Sequence, residues 1–456
     1  MPHTDAQLPV TPPGPSVQEL LDREQRPVPE ALRDVAFAPL GSAPITRERY
    51  FSYGFHRREV ERLWRRVWQM ACREEEIPEV GDYFVYDIVD DSLIVVRTAP
   101  NEIRAFHNSC LHRGTRLCDG EGRARSFRCS FHGWTWDLDG RLLRMPSEWD
   151  FPHVEQRDLC LPEARVACWG GFVFVNLDPE CEPFDSFLEI LPEQFRAWPM
   201  AERWKALHVC KAFRCNWKVA LEAFIESYHV ITTHPQIMGS TGDTNTQYDT
   251  WPGVRHVNRM ITPFAVASPT IASTMTEQEI AESMVRTGGR DDAVDLPEGM
   301  SARAFMGEQM RTLVKSALGV DASERTDSEM LDAIEYYLFP NLAPWAGVLN
   351  SLVYRFRPNG DDPDSCLMDI MRLHPVPDLG ERPPPVAVHH LGLDDPFDLA
   401  PELGGLVEIF RQDSMNLPKV QRGLKSSGAS TVNFGLYQES RLRHYHATLD
   451  EYLARD

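Results

Sequence analysis

The chain has 456 residues, 42% of them apolar and 25% charged. It is therefore long enough for about two to four folded domains and too apolar to be disordered. The net charge of −21 argues against a general nucleic-acid binder, and ten cysteines are too few for a disulfide scaffold. The sequence has no apolar run of about 18 residues, the length that a membrane-spanning helix needs. Its polar N-terminus shows no secretory signal. We therefore expect a cytoplasmic protein.

The first 44 residues are rich in proline, which predicts an N-terminal arm or mobile tail without long helices. The first clear helix is predicted over Arg57–Met70, where apolar residues recur with the period of one buried face. Short β-rich runs separated by turn residues follow, from Tyr83–Tyr86 to Phe172–Leu177. This pattern predicts a compact all-β domain over residues 67–177.

Beyond Pro179 helical and strand-like patterns alternate. Helices are predicted at Phe184–Ala197, Trp217–Val230, Thr276–Val285, Met300–Ala317, Thr326–Tyr337 and Gln438–Leu453. Strands are predicted at Leu207–Phe213, Val348–Phe356, Ser365–Leu373 and Val386–Leu393. The segment Gly288–Gly299 is loop-like.

Two short cysteine–histidine pairs lie in the β domain. Cys110-Leu-His112 and Cys129-Ser-Phe-His132 each place a thiol and an imidazole on one tight turn. Four such ligands fit either a structural zinc ion or a [2Fe–2S] cluster in which the two histidines bind one iron. In zinc sites with this ligand set, one short sequence pair usually contains two cysteines and the other two histidines. Here each pair contains one cysteine and one histidine, which favours the two-iron cluster.

The sequences Cys-x-His-Arg-Gly and Cys-x-x-His-Gly-Trp resemble the Rieske motif of ring-hydroxylating non-haem iron oxygenases. The resemblance implies that Cys110 and Cys129 bind one iron and that His112 and His132 bind the other. Five arginines stand between the two pairs: Arg113, Arg116, Arg123, Arg125 and Arg128. They form either a basic rim that attracts an acidic electron donor or a solvated loop paired with its neighbours.

A second constellation lies in the predicted helix Trp217–Val230. Glu222, Glu226 and His229 are spaced to share one helical face. His234 follows, and Pro235 predicts that the helix ends near Thr232–His234, which lets that imidazole swing back. Two imidazoles and a carboxylate make the facial triad of non-haem Fe(II) oxygenases, although this histidine spacing alone is weak evidence.

The family resemblance assigns His229 and His234 to the mononuclear iron, with Asp413 as the carboxylate because it shortly precedes Val420-Gln-Arg-Gly-Leu424. It also implies that Glu226 bridges the two metal centres across a subunit interface, between His132 and His229. Most of the family has Asp at this position, and Glu occurs in carnitine-type members. Glu222 is expected to support the site rather than bind metal.

The resemblance implies an α+β fold: an all-β Rieske domain plus a helix-grip (START/SRPBCC-like) catalytic domain with a central antiparallel sheet. We predict four segments. These are the arm 1–44, a helical segment 45–66 that packs with the catalytic domain, the Rieske domain 67–177 and the catalytic domain 178–456.

The implied cofactors are a Rieske [2Fe–2S] cluster and a mononuclear non-haem Fe(II). The implied activity is that of an oxidoreductase that inserts oxygen from O₂, using a separate reductase or ferredoxin. We expect a homotrimer, possibly with a β subunit, and no nucleic-acid or membrane partner.

The predicted substrate is aromatic or otherwise bulky and hydrophobic, and the predicted reaction is cis-dihydroxylation, as in aromatic hydrocarbon catabolism. Residues 259–306 and 335–352 are expected to line or cover the pocket and are largely apolar. The alternative is a monooxygenase or demethylase for an O-methyl, N-methyl or quaternary-ammonium compound. An alternative of another class is a Rieske electron carrier without enzymatic activity.

Overall fold

The structure is a computed structural model and describes residues 13–154, 159–289, 292–349, 351–378 and 381–455. It divides into two compact units, one of Met1–Arg57 with Leu188–Asp456 and one of Arg58–Phe187. The predicted Rieske domain, 67–177, lies within the second unit, and the predicted segment 45–66 is divided between the two. The first twelve residues of the predicted arm and residues 290–291 of the loop Gly288–Gly299 lie outside the described residues.

The described part of the N-terminal arm is folded onto the first unit, so the prediction of a mobile tail is wrong for residues 13–43. It contains the short helices α1 (Val17–Leu21) and α2 (Glu30–Arg33), and strand β1 (Ile45–Thr46) and helix α3 (Tyr53–Glu59) follow. The buried guanidinium of Arg259 explains the folding. It donates to the carbonyl oxygens of Ala31 and Asp34 and to the carboxylate of Asp249, because a buried cation needs such partners.

The second unit is built mainly of antiparallel strands. They are β2 (Gln69–Arg73), β3 (Asp82–Ile88), β4 (Asp91–Ala99), β5 (Glu102–His107), β6 (Glu121–Arg123), β7 (Phe127–Arg128), β8 (Thr135–Trp136), β9 (Leu142–Arg144), β10 (Glu163–Trp169) and β11 (Phe172–Asn176). Among the described residues one sheet has the order β2-β11-β10-β5-β4-β3-β6, and a smaller sheet has the order β7-β8-β9. The core below the small sheet contains Phe106, Phe127, Trp134 and Trp136, together with both cysteines of the predicted cluster site, Cys110 and Cys129.

The helix predicted over Arg57–Met70 ends early. Helix α3 continues into one π-helical turn, Val60–Trp64, and the chain then turns into β2. Gln69 and Met70 pair with Val175 and Phe174 of β11. The backbone hydrogen bonds of the sheet therefore end the helical pattern that the apolar spacing suggested.

The first unit carries the larger sheet. Its strands are β12 (Arg203–Phe213), β13 (Gln247–Asp249), β14 (Val257–Thr262), β15 (Ala333–Leu338), β16 (Leu342–Pro344), β17 (Leu352–Pro358), β18 (Cys366–Pro375), β19 (His389–Leu391) and β20 (Thr431–Val432). Among the described residues the order is β13-β14-β15-β16-β17-β18-β12-β19, antiparallel except for the pair β12–β19, while β20 pairs with β1. The unit is thus α+β, as predicted.

Helix α4 (Phe184–Leu188) lies at the end of the second unit. The helices of the first unit that follow are α5 (Leu191–Gln194), α6 (Trp217–Phe224), α7 (Val230–Thr233), α8 (Glu277–Thr287), α9 (Ala302–Leu318), α10 (Asp327–Leu331), α11 (Leu406–Ser426) and α12 (Ser440–Ala454). The helix predicted over Thr326–Tyr337 is α10 followed by β15, because its second half pairs with β14. No described helix combines the length and apolar character needed to cross a membrane.

Candidate metal centres

Two similar tight loops present the cysteine–histidine pairs of the second unit. In the first loop the backbone N–H of Cys110 donates to the carbonyl of Thr115 at 2.9 Å, and Gly114 donates back to Cys110 at 2.9 Å. In the second, Cys129 donates to Trp134 at 2.8 Å, and Gly133 donates back to Cys129 at 3.1 Å. Gly114 and Gly133 have φ of +78° and +75°, a conformation that glycine adopts without strain.

In the structure the two histidines lie side by side, and so do the two cysteines. The rings of His112 and His132 lie 4.4 Å apart, and the thiols of Cys110 and Cys129 are close enough to interact electrostatically. Among the described residues no three of these four donor atoms come within 4.8 Å of one another. A single tetrahedral zinc ion needs such convergence, whereas a two-iron cluster spreads its sulfur and nitrogen ligands over two metals.

The surroundings of the loops suit a cluster at the surface. Nδ1 of His112 is buried and has no hydrogen-bond partner among the described residues, as a metal-ligating nitrogen requires. Trp134 is buried and stacks on His112 at 5.1 Å and 9°, while His132 is exposed. The donor set therefore fits a cluster that is shielded on one side and open to solvent through an imidazole.

The arginines between the two loops are partly used locally. Arg116 pairs with Asp87 at 2.8 Å and Arg123 with Asp82 at 2.6 Å. The guanidinium of Arg113 lies 5.1 Å from the centre of the Phe131 ring. These contacts agree with a loop whose arginines pair with their neighbours.

In the first unit the predicted helix Trp217–Val230 is interrupted. Helix α6 ends at Phe224, and α7 starts only at Val230, so Glu222, Glu226 and His229 do not share a helical face. The intervening residues bond elsewhere: Arg441 donates to the carbonyl of Ile225 at 3.1 Å. The backbone N–H of Ser227 donates to the hydroxyl of Tyr248 at 3.1 Å. Side-chain contacts from distant elements thus replace the hydrogen bonds of the helix.

The interruption turns the two histidines towards helix α11. The ligand atoms of His229, His234 and Asp413 all lie within 4.8 Å of one another. Nε2 of His234 is 3.0 Å from Oδ1 of Asp413, and Nε2 of His229 is 3.7 Å from the same oxygen. Asp413 and His234 are buried. This is the arrangement of two imidazoles and one carboxylate that suits non-haem Fe(II).

The Nδ1 atom of each imidazole, which faces away from Asp413, is held by a hydrogen bond. Nδ1 of His229 donates to Oε1 of Glu226 at 2.6 Å, and the backbone N–H of His229 bonds Oε2 at 3.1 Å. Nδ1 of His234 donates to Oε1 of Gln412 at 2.6 Å. Both Nε2 atoms are therefore left for a metal, and that of His234 has no aligned hydrogen-bond partner among the described residues.

The charges around His229 favour its protonated form when no metal competes. Burial opposes protonation, but the carboxylates of Glu226 and Asp413 outweigh it and raise the pKa of His229 to about 9. A metal ion must therefore displace a proton from this imidazole.

Glu222 belongs to a different cluster. Its Oε1 accepts hydrogen bonds from the hydroxyl of Tyr50 at 3.0 Å and from Nε2 of His446 at 2.9 Å. Burial raises its pKa to about 8, against the hydrogen bond from Tyr50 and the charge of Lys218. The contacts place it in a supporting network and not among the grouped metal ligands.

Aromatic rings lie next to the three candidate ligands. Phe224, two residues before Glu226, packs on Tyr354 at 5.4 Å and on Phe410 at 5.9 Å. Phe410 is one helical turn before Asp413 on α11 and meets Tyr354 at 6.2 Å. Of the residues predicted to line a pocket, Trp345 joins this cluster through Tyr354, whereas Phe264 and Leu349 pack in a core with α9 and α10.

Comparison with known families accounts for both sites. The model of the ring hydroxylating alpha subunit (catalytic domain) matches residues 195–455, and that of the Rieske [2Fe–2S] domain matches residues 67–155. The chain belongs to the ring-hydroxylating alpha subunits. The two matches indicate a Rieske cluster and a mononuclear non-haem iron as the cofactors. The predicted family and the predicted cofactors are confirmed.

Similar alpha subunits act on unlike substrates. The alpha subunit of biphenyl 2,3-dioxygenase from Rhodococcus jostii is 33% identical over 198 residues, which cover 40% of this chain and 42% of that protein. The oxygenase subunit of glycine betaine monooxygenase from Pseudomonas aeruginosa is 31% identical over 183 residues, with coverages of 40% and 42%. The matched regions thus span less than half the length of these relatives.

Solved structures share the fold over almost the whole chain. A quaternary ammonium Rieske monooxygenase in complex with L-carnitine has a TM-score of 0.61 at 16% identity, covering 91% of this chain and 96% of that one. Naphthalene 1,2-dioxygenase from Rhodococcus sp. bound to indole has a TM-score of 0.60 at 19% identity, covering 90% and 94%. At these identities the likeness describes the fold alone.

Sequence reasoning missed two residues that organise the sites. Gln412 fixes the ring of His234, and only its position beside Asp413 hinted at this role. Asn108 accepts the backbone N–H groups of Leu117 and Cys118 at 3.0 Å each and so shapes the first loop. Its amide two residues before Cys110 is a turn signal that was available.

Proposed function

We propose that the chain is the terminal oxygenase component of a Rieske system and hydroxylates an organic substrate beside His229, His234 and Asp413. The observation that carries this proposal is the convergence of these three ligand atoms within 4.8 Å, in a chain that also contains the two cysteine–histidine loops. Iron at this position would activate O₂, and the cluster bound by Cys110, His112, Cys129 and His132 would supply electrons.

The protein's own groups prepare the mononuclear site. Glu226 and Gln412 hold the two imidazoles by Nδ1, so that each directs its Nε2 towards the metal position. The rings of Phe224, Tyr354 and Phe410 exclude water from one side and offer apolar surface to a substrate. This division of roles supports hydroxylation at a carbon atom held against the rings.

We further propose the assembly that the family resemblance implies. Glu226 bonds His229 on the metal side, and its other contact would be His132 of a neighbouring subunit in a homotrimer. Electrons would arrive from a separate reductase or ferredoxin. The described strands and α12 agree with a helix-grip catalytic domain, because Asn258 of β14 bonds His444 of the long C-terminal helix at 3.0 Å.

The leading substrate class is aromatic or bulky and hydrophobic, as the ring cluster supports. Cis-dihydroxylation of such a compound is the first candidate reaction. Monooxygenation or demethylation of an N-methyl or quaternary-ammonium compound is the second, because aromatic faces also bind such cations and because Glu226 stands where most of the family has Asp.

Iron and sulfide quantitation on protein purified anaerobically with Fe(II) tests the proposal. We expect about three irons and two sulfides per chain. Asp413→Asn should lose about one iron and all hydroxylation while its visible spectrum stays unchanged. Glu408→Gln, an exposed change on the same helix, is the matched control and should keep three. Two irons in the unmodified protein would instead support an electron carrier.

A further inference from the structure

One arginine of the larger sheet carries a charge that no described group balances. Arg372 lies on β18 and is partly exposed, so a solute can reach it. Its guanidinium forms no hydrogen bond or ion pair with any residue that the structure describes. Arg355 on the neighbouring strand shows the usual arrangement, since its Nε donates to Asp369 at 2.9 Å. A cation that is largely removed from water normally has such a partner.

Arg372 lies on the face of the sheet that carries Tyr354. It pairs with Leu352 of β17, and two residues further along that strand Tyr354 pairs with Ile370. Directly paired residues of neighbouring strands point to the same face, and so do alternate residues of one strand. Arg372 therefore follows Tyr354 along this face at a spacing of about 7 Å.

Tyr354 connects Arg372 with the candidate metal ligands. Its ring meets Phe410 at 6.2 Å, and Phe410 is one helical turn before Asp413 on α11. Burial raises the pKa of the Tyr354 hydroxyl, and the negative charges of Glu335 and Asp413 raise it further. The positive charge of Arg372 acts on the same hydroxyl in the opposite direction. Apolar surface, a metal ligand and an unbalanced cation thus meet around one side chain.

The surroundings of Arg372 supply no anion. Its partner on β12 is Leu207, and His374 is the next residue of β18 on the same face. Burial and the charges of Arg372 and Arg203 lower the pKa of His374 to about 4, so this imidazole is neutral at pH 7. Burial also lowers the pKa of Arg372, against the charge of Tyr354, but an arginine stays charged at this pH. Among the described groups that act on Arg372 there is no carboxylate.

We propose that Arg372 binds a carboxylate group of the substrate, whose hydrophobic remainder lies against Tyr354 and Phe224. The guanidinium donates two parallel N–H groups to the two carboxylate oxygens. The hydrophobic part then extends along the sheet face towards the three candidate metal ligands. This inference rests on the proposed oxygenase function and narrows its substrate class to hydrophobic carboxylic acids.

The charge of Arg372 decides between head groups. A carboxylate balances this charge, whereas a plain hydrocarbon leaves it unpaired in largely apolar surroundings. A quaternary ammonium compound without an acid group is repelled by the guanidinium and has no acceptor for its N–H groups. A neutral amide accepts a hydrogen bond through its oxygen but does not balance the charge. Comparing an acid with its amide therefore isolates the charge.

Two pairs of acid and amide test the inference. Benzoate and benzamide form one pair, and 2-naphthoate and 2-naphthamide form the other, so that the same change of charge is made at two ligand sizes. Dissociation constants are measured by equilibrium dialysis on the iron-loaded holoenzyme under anaerobic conditions, which prevents turnover. We expect the acid of at least one pair to bind at least about tenfold more tightly than its amide.

Arg372→Met removes the charge and keeps an unbranched side chain. The acid should then lose at least about tenfold in affinity, while its amide is nearly unaffected. Arg372→Lys keeps the charge and should retain a preference for the acid. Arg286→Met is the matched control, because it removes an exposed cation from α8 of the same unit, and the preference should stay unchanged. Iron and sulfide content show that each variant is folded.

Three results would overturn the inference: equal binding of acid and amide in both pairs, a preference for the acid that survives in Arg372→Met, or an equal loss for acid and amide in that variant. Absence of binding by all four probes would do so as well. None of these touches the proposed function, which is judged by the iron content and by Asp413→Asn. An unmodified protein that binds no mononuclear iron would remove the function itself, whatever the probes do.

Discussion

Lowering the pH should release iron from the mononuclear site before it affects the cluster. The pKa of His229 is raised to about 9 by Glu226 and Asp413, and Fe(II) binds only the neutral imidazole. Below pH 9 each bound metal ion therefore displaces a proton from His229. We expect the affinity for Fe(II) to rise about tenfold per pH unit up to about pH 9 and to level off above it.

The magnitude follows from the distance to neutral pH. A pH of 7 is about two units below the pKa of the imidazole. Protonation therefore weakens Fe(II) binding by roughly 100-fold, or about 2.7 kcal/mol. A histidine with an ordinary pKa near 6.5 would impose almost no penalty at the same pH. The two cases differ by far more than the error of a binding measurement.

Anaerobic equilibrium dialysis against Fe(II) between pH 6.5 and 9.5 measures this dependence, with the visible spectrum reporting that the cluster is intact. Glu226→Gln is the informative variant, since without this carboxylate the pKa of His229 falls and the plateau should begin at lower pH. An affinity that is constant above pH 7 in the unmodified protein would refute the reasoning. So would a plateau that Glu226→Gln does not move.

Three further changes have defined outcomes. Gln412→Leu removes the acceptor for Nδ1 of His234 and should weaken Fe(II) binding about 10–100-fold in the same dialysis; an unchanged affinity would show that the hydrogen bond does not orient the ring. Trp136→Ala empties a fully buried site beside Cys110 and should lower the free energy of unfolding by about 3–5 kcal/mol in denaturant titrations, with a loss below 1 kcal/mol contradicting the packing. Glu222 has a pKa raised to about 8 in the folded protein, so the native state binds more protons than the unfolded chain, and its stabilising effect is lost as the pH rises from about 4.5 through 8. Glu222→Gln should therefore flatten the fall in the free energy of unfolding between pH 5.5 and 8, and an unaltered slope would count against the shifted pKa.

Local sequence was sufficient for the cluster loops. Two mixed cysteine–histidine pairs, each followed by a glycine that adopts positive φ, specify their turns within six residues. Grouping His229 and His234 was also predictable, because the proline after His234 ends the helix where expected. These features depend on contacts between near neighbours in the chain.

Long-range contacts decided what the sequence could not show. The helical pattern over Trp217–Val230 continues through Ile225. In the structure Arg441 of the last helix donates a hydrogen bond to the carbonyl of Ile225, and the helix ends there. Similarly, Ile334 and its neighbours have a helical spacing, yet they pair with β14 as a strand. Gln412 carries no motif, so its role emerges only from its hydrogen bond to Nδ1 of His234.

The contacts of Arg259 have a practical consequence for shortening the protein. The proline-rich composition of the first 44 residues invites a deletion up to the start of β1. Such a deletion would remove the carbonyl groups of Ala31 and Asp34 from a guanidinium that is fully buried beneath them. Variants made for expression or crystallisation should therefore begin ahead of Ala31, since the segment around it completes the interior of the catalytic unit.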